Sequence, residues 1–147
     1  MRSIAALILI LMSGPVAAAE LRNCGEAEIG IASVSPGPNN ANIRQFYEGR
    51  VVVLALDQEE PACCAFGVAF LLPSGDGRDE PAFVQCQAVI GYAGLDVAGA
   101  QAAYDPARGL TLTIPAREYV HDTGGSRETA PLVVTIDAGA GTIRIGE

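Results

Sequence analysis

The sequence predicts an all-β protein, a small antiparallel β-sandwich or barrel of about seven to nine short strands, stabilised by disulfides. Three observations predict it. Apolar residues recur with a period of two along much of the chain. Clusters of Gly, Pro, Asn and Asp interrupt these stretches at short intervals. The chain also holds 4 cysteines, an even number, behind a segment typical of exported proteins.

Residues 1–19 have the pattern of a secretory signal peptide. Arg2 supplies a positive start, and the run from Ile4 to Met12 is entirely apolar. Three alanines, residues 17–19, offer a cleavage site before Glu20. The apolar run is shorter than the roughly 20 residues that span a bilayer. We therefore expect a periplasmic or extracellular protein whose residues 20–147 form a single β domain, without a membrane anchor after cleavage.

The mature chain is acidic. Without Arg2 it has eight basic and 17 acidic residues, a net charge of −9. Nucleic acids and anionic membrane surfaces are therefore disfavoured as partners, because both bind basic surfaces. The basic residues are all arginines, and Ala and Gly are abundant, which is typical of GC-rich bacterial genomes.

The first half of the mature chain predicts three strands and a loop. Residues 28–31 alternate, and residues 34–42 are rich in turn-forming residues. Residues 43–47 then lead through Gly49 into residues 51–56, a run rich in β-branched residues. Such a run is typical of a strand buried on both faces.

The middle of the chain predicts two more strands around a charged loop. From Cys64 to Leu72, every second residue is bulky and the alternate residues are mostly small, so the bulky face is expected to meet the core. Residues 73–82 form the charged loop. In the next strand Cys86 lies on an apolar face, opposite Gln85 and Gln87.

The last third predicts two hairpins with the same turn signal. Asp105 precedes Gly109, and Asp137 precedes Gly141, each pair followed by an alternating stretch. The aspartate side chain caps such a turn, and the glycine takes the positive φ that closes it. Residues 95–104 are rich in alanine and compatible with a helix, but the hairpin signal that follows favours a strand.

The cysteines predict two structural disulfides, because exported chains pair their cysteines. A ring between the adjacent Cys63 and Cys64 is strained and rare, which leaves two pairings. Cys64 and Cys86 both lie on apolar faces, so the favoured pairing is Cys64 with Cys86 and Cys24 with Cys63.

The competing hypothesis is a thiol-redox or soft-metal site at Cys63 and Cys64. Redox pairs usually have the spacing Cys-x-x-Cys at a helix N-terminus. These two cysteines are adjacent, and Glu59 and Glu60 precede them. A soft metal needs further ligands, and the mature chain keeps a single histidine, His121. We expect no metal and no cofactor.

Other candidate residues lie in predicted loops. His121 and Asp122 fall in residues 119–129, and this neighbouring pair suggests a general base, which would make a hydrolase the third hypothesis. No Gly-x-Ser-x-Gly motif supplies a nucleophile, so no catalytic residue is assigned. Asp76, Arg78 and Asp79 belong to the charged loop, whose spacing does not match a calcium-binding EF-hand.

We expect a non-enzymatic binding domain whose partner is an unidentified protein, for example an envelope protein that it inhibits or assists. Function on β scaffolds concentrates in loops, so the expected surface comprises residues 34–42, 73–82 and 119–129. Within it, the candidate binding residues are Asp76, Arg78, Asp79, His121 and Asp122. The chain has no Trp, which disfavours a surface that binds by aromatic stacking.

Overall fold

The computed structural model describes residues 19–59, 63–74 and 83–146, so the predicted signal peptide lies almost wholly outside the described residues. The strands are β1 (Arg22–Asn23), β2 (Ile43–Phe46), β3 (Val51–Asp57), β4 (Phe66–Ser74), β5 (Phe83–Tyr92), β6 (Gly94–Leu95), β7 (Gln101–Asp105), β8 (Gly109–Val120), β9 (Gly125–Asp137) and β10 (Thr142–Ile145). Short 3-10 turns span Ile31–Ser33 and Pro38–Asn40.

The strands form two antiparallel sheets. The first has the order β1-β5-β4-β3-β2 and is called sheet A here. The second, sheet B, has the order β10-β9-β8-β6, and β7 pairs with β8 beside β6. Both sheets are open, which confirms the all-β fold in its sandwich form. Within the described ranges, no helix has the length and apolar character needed to cross a bilayer.

The main core lies between the two sheets. On β4, the alternate residues Val68, Phe70 and Leu72 are almost completely buried, which confirms the prediction that the bulky face meets the core from residue 68 onward. The prediction is wrong for the start of this stretch, because Phe66 is 38% exposed and Cys64 precedes the strand. Val51 and Val53 of β3 join them from the neighbouring strand. Each such side chain contributes about 1.5–3 kcal/mol when it is removed from water.

A second, smaller core covers the outer face of sheet A. It contains Cys24, Ala27, Leu56, Ala69 and Ala88. The N-terminal segment, residues 22–35, lies over this face and is tied to β3 by the amide of residue 35, which donates to the carbonyl of residue 55 at 2.9 Å. The predicted burial of residues 51–56 on both faces is therefore confirmed. The prediction of a strand over residues 28–31 is wrong, because the chain turns there to bring Cys24 against β5.

Both predicted hairpins are present. Asp105 Oδ1 accepts a hydrogen bond from the amide of Ala107 at 2.7 Å, and the β7–β8 hairpin closes at Gly109, whose φ is +95°. Asp137 Oδ1 accepts from two turn amides at 3.0 Å, and the β9–β10 hairpin closes at Gly141, whose φ is +65°. The capping carboxylates and positive φ angles are those that the sequence predicted.

Three predicted boundaries are corrected. Residues 119–129 are not a loop, because β8 runs to Val120 and β9 begins at Gly125. Residues 121–128 of this ribbon are all exposed and are polar or glycine, so the sequence there lacks the alternation that marks a half-buried strand. The charged loop begins later than residue 73, since β4 continues to Ser74. Residues 95–104 contain no helix, as predicted, but they are not one strand: Leu95 ends β6, and β7 begins at Gln101.

Candidate functional site

The disulfide between Cys24 and Cys86 corrects the favoured pairing of Cys64 with Cys86 and of Cys24 with Cys63. β1 pairs with β5 so that Asn23 lies opposite Gln87. The next residue, Cys24, then meets Cys86 with a Cα–Cα distance of 5.4 Å, and its amide donates to the Cys86 carbonyl at 3.1 Å. The apolar face that carries Cys86 is the outer face of sheet A, whereas the bulky face of β4 points inward.

Cys63 and Cys64 are joined to each other, which corrects the dismissal of this ring. β4 begins at Phe66, so neither cysteine lies on a face of the sheet. Cys64 has a φ of +67°, a left-handed conformation that turns the chain just before the strand. Since Cys86 is bonded to Cys24, Cys63 and Cys64 are left to pair with each other.

The five predicted binding residues do not form a site with the cysteines in the described structure. Asp76, Arg78 and Asp79 are outside the described residues. His121 and Asp122 occupy the exposed turn of the β8–β9 ribbon, where the His121 ring packs edge-on against Tyr119 at a centroid distance of 5.1 Å. Across the residues that the structure describes, no group of three or more His, Cys, Asp or Glu side chains is arranged to hold a metal ion.

The side of the sandwich formed by β2 and β7 carries an aromatic cluster that the sequence did not reveal. Tyr47 and Tyr104 pack edge-to-face with ring centroids 5.6 Å apart. Arg44 lies over the Phe46 ring, 5.4 Å from its centroid. We call Arg44, Phe46, Tyr47 and Tyr104 the aromatic edge. Tyr104 is 63% exposed, although it shares the inward face of sheet B with its pairing partner Leu110.

Burial and neighbouring groups favour the protonated form of the Tyr47 phenol. Burial, followed by the neighbouring Tyr104 and Asp137, raises the pKa of Tyr47 above its ordinary value. Its hydroxyl is a hydrogen-bond donor at neutral pH, as in an ordinary phenol, and the raised pKa extends this state to higher pH. A phenol that keeps its proton, beside an exposed aromatic ring, offers both polar and apolar contact to a partner.

The outer edge of β7 is open to further pairing. Residues 101–104 are exposed and contain neither a charge nor a proline. Most other edge strands of the described chain differ. β1 and β6 are two residues long, β2 and β10 carry Arg44 and Arg144, and the part of β9 that extends beyond β10 contains Arg127, Glu128 and Pro131. Charges, prolines and short length all oppose strand addition. β5 also lacks charges and prolines, and β1 pairs with only its residues 87 and 88, so β7 is one of two weakly protected edges in the described part of the chain.

Two clefts flank the base of the β8–β9 ribbon, with volumes of about 640 and 730 Å³. In the first, Arg117 donates to the Ser126 hydroxyl at 3.0 Å, and Asp96 accepts from a turn amide at 2.8 Å. In the second, Arg22 is bonded to Glu20 at 2.7 Å. The named charged groups in both clefts have partners within the chain.

Comparison with known protein families, curated proteins and solved structures finds no match to this chain. The aromatic edge is not visible in the sequence, because Tyr104 of β7 lies far along the chain from its other members in β2 and the following turn. The signal in the sequence that could have indicated this edge is the uncharged segment of residues 101–104, directly before the Asp105 turn.

Proposed function

We propose that the chain is an exported binding domain that acts without enzymatic chemistry and holds a protein partner at the β7 edge. The observation that carries the proposal is the combination of an unprotected strand edge with the exposed Tyr104 ring. An extended segment of a partner would pair with the β7 backbone and rest on the aromatic edge. Strand addition is a common mode of peptide recognition, in which the backbone supplies affinity and side chains supply selectivity.

The residue types of the aromatic edge support this proposal. Tyrosine and arginine are enriched among the few residues that contribute most of the binding energy at protein interfaces. Tyr47 and Arg44 are also held in place by contacts within the chain. A partner would therefore lose little entropy in ordering them, which favours affinity.

Export is part of the same proposal. The signal-like residues 1–19 support it. A disulfide that joins β1 to β5 is also compatible with an oxidising compartment outside the cytoplasm. The partner is accordingly expected among periplasmic or extracellular proteins, such as an envelope protein that the domain inhibits or assists.

Site-specific photocrosslinking in the producing cell tests the proposal. A photoreactive phenylalanine analogue is placed at Tyr104 and, as a matched control, at Val84, which is 67% exposed but lies in β5 on sheet A. We expect a discrete crosslinked product from position 104 and none from position 84. Equal products from both positions, or none from position 104, would overturn the proposal.

A substitution on the strand edge sharpens this test. Ala103→Lys places a charge on β7, the device that natural edge strands use against pairing. Because Ala103 is exposed, the variant is expected to fold. It should lose the crosslinked product at position 104, and a product that persists at full yield argues against pairing along β7. A product of twice the chain's mass would identify the partner as a second copy.

A further inference from the structure

The Cys63–Cys64 disulfide lies outside the hydrogen-bonded ladder of sheet A. Asp57 of β3 pairs with Phe66 of β4, and the amide of Gln58 donates to the carbonyl of Ala65 at 2.9 Å. These contacts close the β3–β4 connection before the chain reaches the cysteines. The sheet therefore keeps its pairing whether the two sulfurs are joined or separate.

Stability does not account for this bond. A disulfide stabilises a fold mainly by closing a chain segment and so restricting the unfolded state. Cys24 and Cys86 close a segment with a sequence separation of 62, whereas Cys63 and Cys64 are adjacent. The vicinal bond restricts little beyond its own ring, so its presence calls for a chemical explanation.

The two disulfides also differ in their surroundings. Cys24 is only 7% exposed, and Cys86 packs with it in the second core beneath the N-terminal segment. Cys63 and Cys64 are both partly exposed and lie in a connecting segment. Exchange requires that a thiolate reach a sulfur atom, so access favours the vicinal bond.

We propose that Cys63–Cys64 is a thiol–disulfide exchange site that a dithiol partner opens while Cys24–Cys86 remains closed. A partner thiolate attacks one of the two sulfurs, which breaks their bond, forms a mixed disulfide and releases the other sulfur as a thiolate. The second thiolate of the partner then attacks the partner's own sulfur in the mixed disulfide. This forms the partner's internal disulfide and releases the remaining cysteine of the pair as a thiolate. Cys63 and Cys64 end as two thiols and the partner as a disulfide, with two electrons and two protons transferred.

Graded reduction of the folded mature chain tests this site. The protein is exposed to increasing dithiothreitol at neutral pH, quenched with acid, alkylated with N-ethylmaleimide and mapped by peptide mass spectrometry. We expect N-ethylmaleimide on both Cys63 and Cys64 at dithiothreitol concentrations that leave Cys24 and Cys86 unlabelled. Simultaneous opening of both bonds, or earlier opening of Cys24–Cys86, would overturn the proposal. So would a map of the untreated protein that joins Cys24 to Cys63.

The same trapping on protein recovered from its producing cells tests whether the exchange occurs there. The cells are divided into an untreated part and a part that is briefly treated with dithiothreitol and then washed. Samples of both parts are quenched with acid at successive times. We expect dithiothreitol to reduce Cys63 and Cys64. They should then return to the disulfide by the reverse exchange, in which the disulfide form of the partner takes up the two electrons and two protons, while Cys24–Cys86 is constant. A double Cys63→Ser, Cys64→Ser variant should fold with an unchanged far-UV spectrum. If that variant unfolds, or if the pair never responds in cells, the bond is a structural crosslink.

Discussion

At the scale of the single residue, Arg44 links the two sheets on the β2–β7 side. Its guanidinium Nη1 donates to the carbonyls of Ala98 at 2.9 Å and of Ala100 at 3.2 Å. These carbonyls belong to the turn between β6 and β7, which also carries the fully buried Val97. One side chain of sheet A thus fixes the turn that starts β7 and supports the aromatic edge.

Replacing Arg44 tests this link. Arg44→Ala removes charged hydrogen bonds and leaves the turn carbonyls without their donor, so we expect the free energy of unfolding to fall by about 2 kcal/mol. Urea unfolding followed by circular dichroism measures the change. Arg50→Ala is the matched control, since Arg50 is exposed in the β2–β3 turn, and its effect should stay within about 0.5 kcal/mol. Equal effects of the two substitutions would show that the link does not stabilise the fold.

At the scale of the secondary-structure element, the sequence predicted the turns better than the strands between them. Asp105 and Gly109 act locally, so their effect is visible in a few adjacent letters. The β8–β9 ribbon was missed because its stabilising contacts are cross-strand pairs of polar side chains, such as Arg117 with Ser126 and Glu118 with Arg127. The role of Arg44 was equally hidden, because its acceptors are backbone carbonyls more than fifty positions away.

Glycine substitutions in the two hairpin turns test the local argument. Gly109 has a φ of +95°, and a Cβ there would overlap the Ile136 carbonyl of the neighbouring strand. Gly109→Ala is therefore expected to cost about 2–4 kcal/mol, from backbone strain and displacement of β9. Gly141→Ala meets its nearest atom, the Pro73 carbonyl oxygen, at 3.3 Å and should cost only about 1 kcal/mol. Chemical denaturation of both variants measures their free energies of unfolding. A larger loss for Gly141→Ala than for Gly109→Ala would contradict the assigned turn geometry.

At the scale of the whole molecule, sheet A is covered by apolar groups on both faces. The main core lies on one face, and the N-terminal segment covers the other through Cys24 and Ala27. Alternation along a strand shows that two faces exist, but it does not show which of them meets sheet B. The cysteine pairing was therefore predicted wrongly, since Cys86 was assigned to an apolar face without knowledge of what covered that face.

The Cys24–Cys86 disulfide is expected to hold this second layer in place. On the chain-entropy model, a bridge with a sequence separation of 62 contributes about 4 kcal/mol. The double variant Cys24→Ala, Cys86→Ala should accordingly lower Tm by on the order of 10 °C or more. Limited proteolysis at lower temperature should cut first within residues 22–35, because this segment then lies on sheet A without its covalent link.

The vicinal pair provides the matched control for the whole-molecule prediction. The double variant Cys63→Ser, Cys64→Ser removes the same number of sulfurs, but the bond that it loses closes no chain segment. Its Tm should therefore shift by only a few degrees. Suppose instead that the vicinal variant loses as much stability as the variant without Cys24 and Cys86. The β3–β4 connection would then be the element on which the fold depends, and the N-terminal layer would be an addition to a sandwich that is already stable. A large loss confined to the Cys24, Cys86 variant identifies the second core as an integral part of the folded domain.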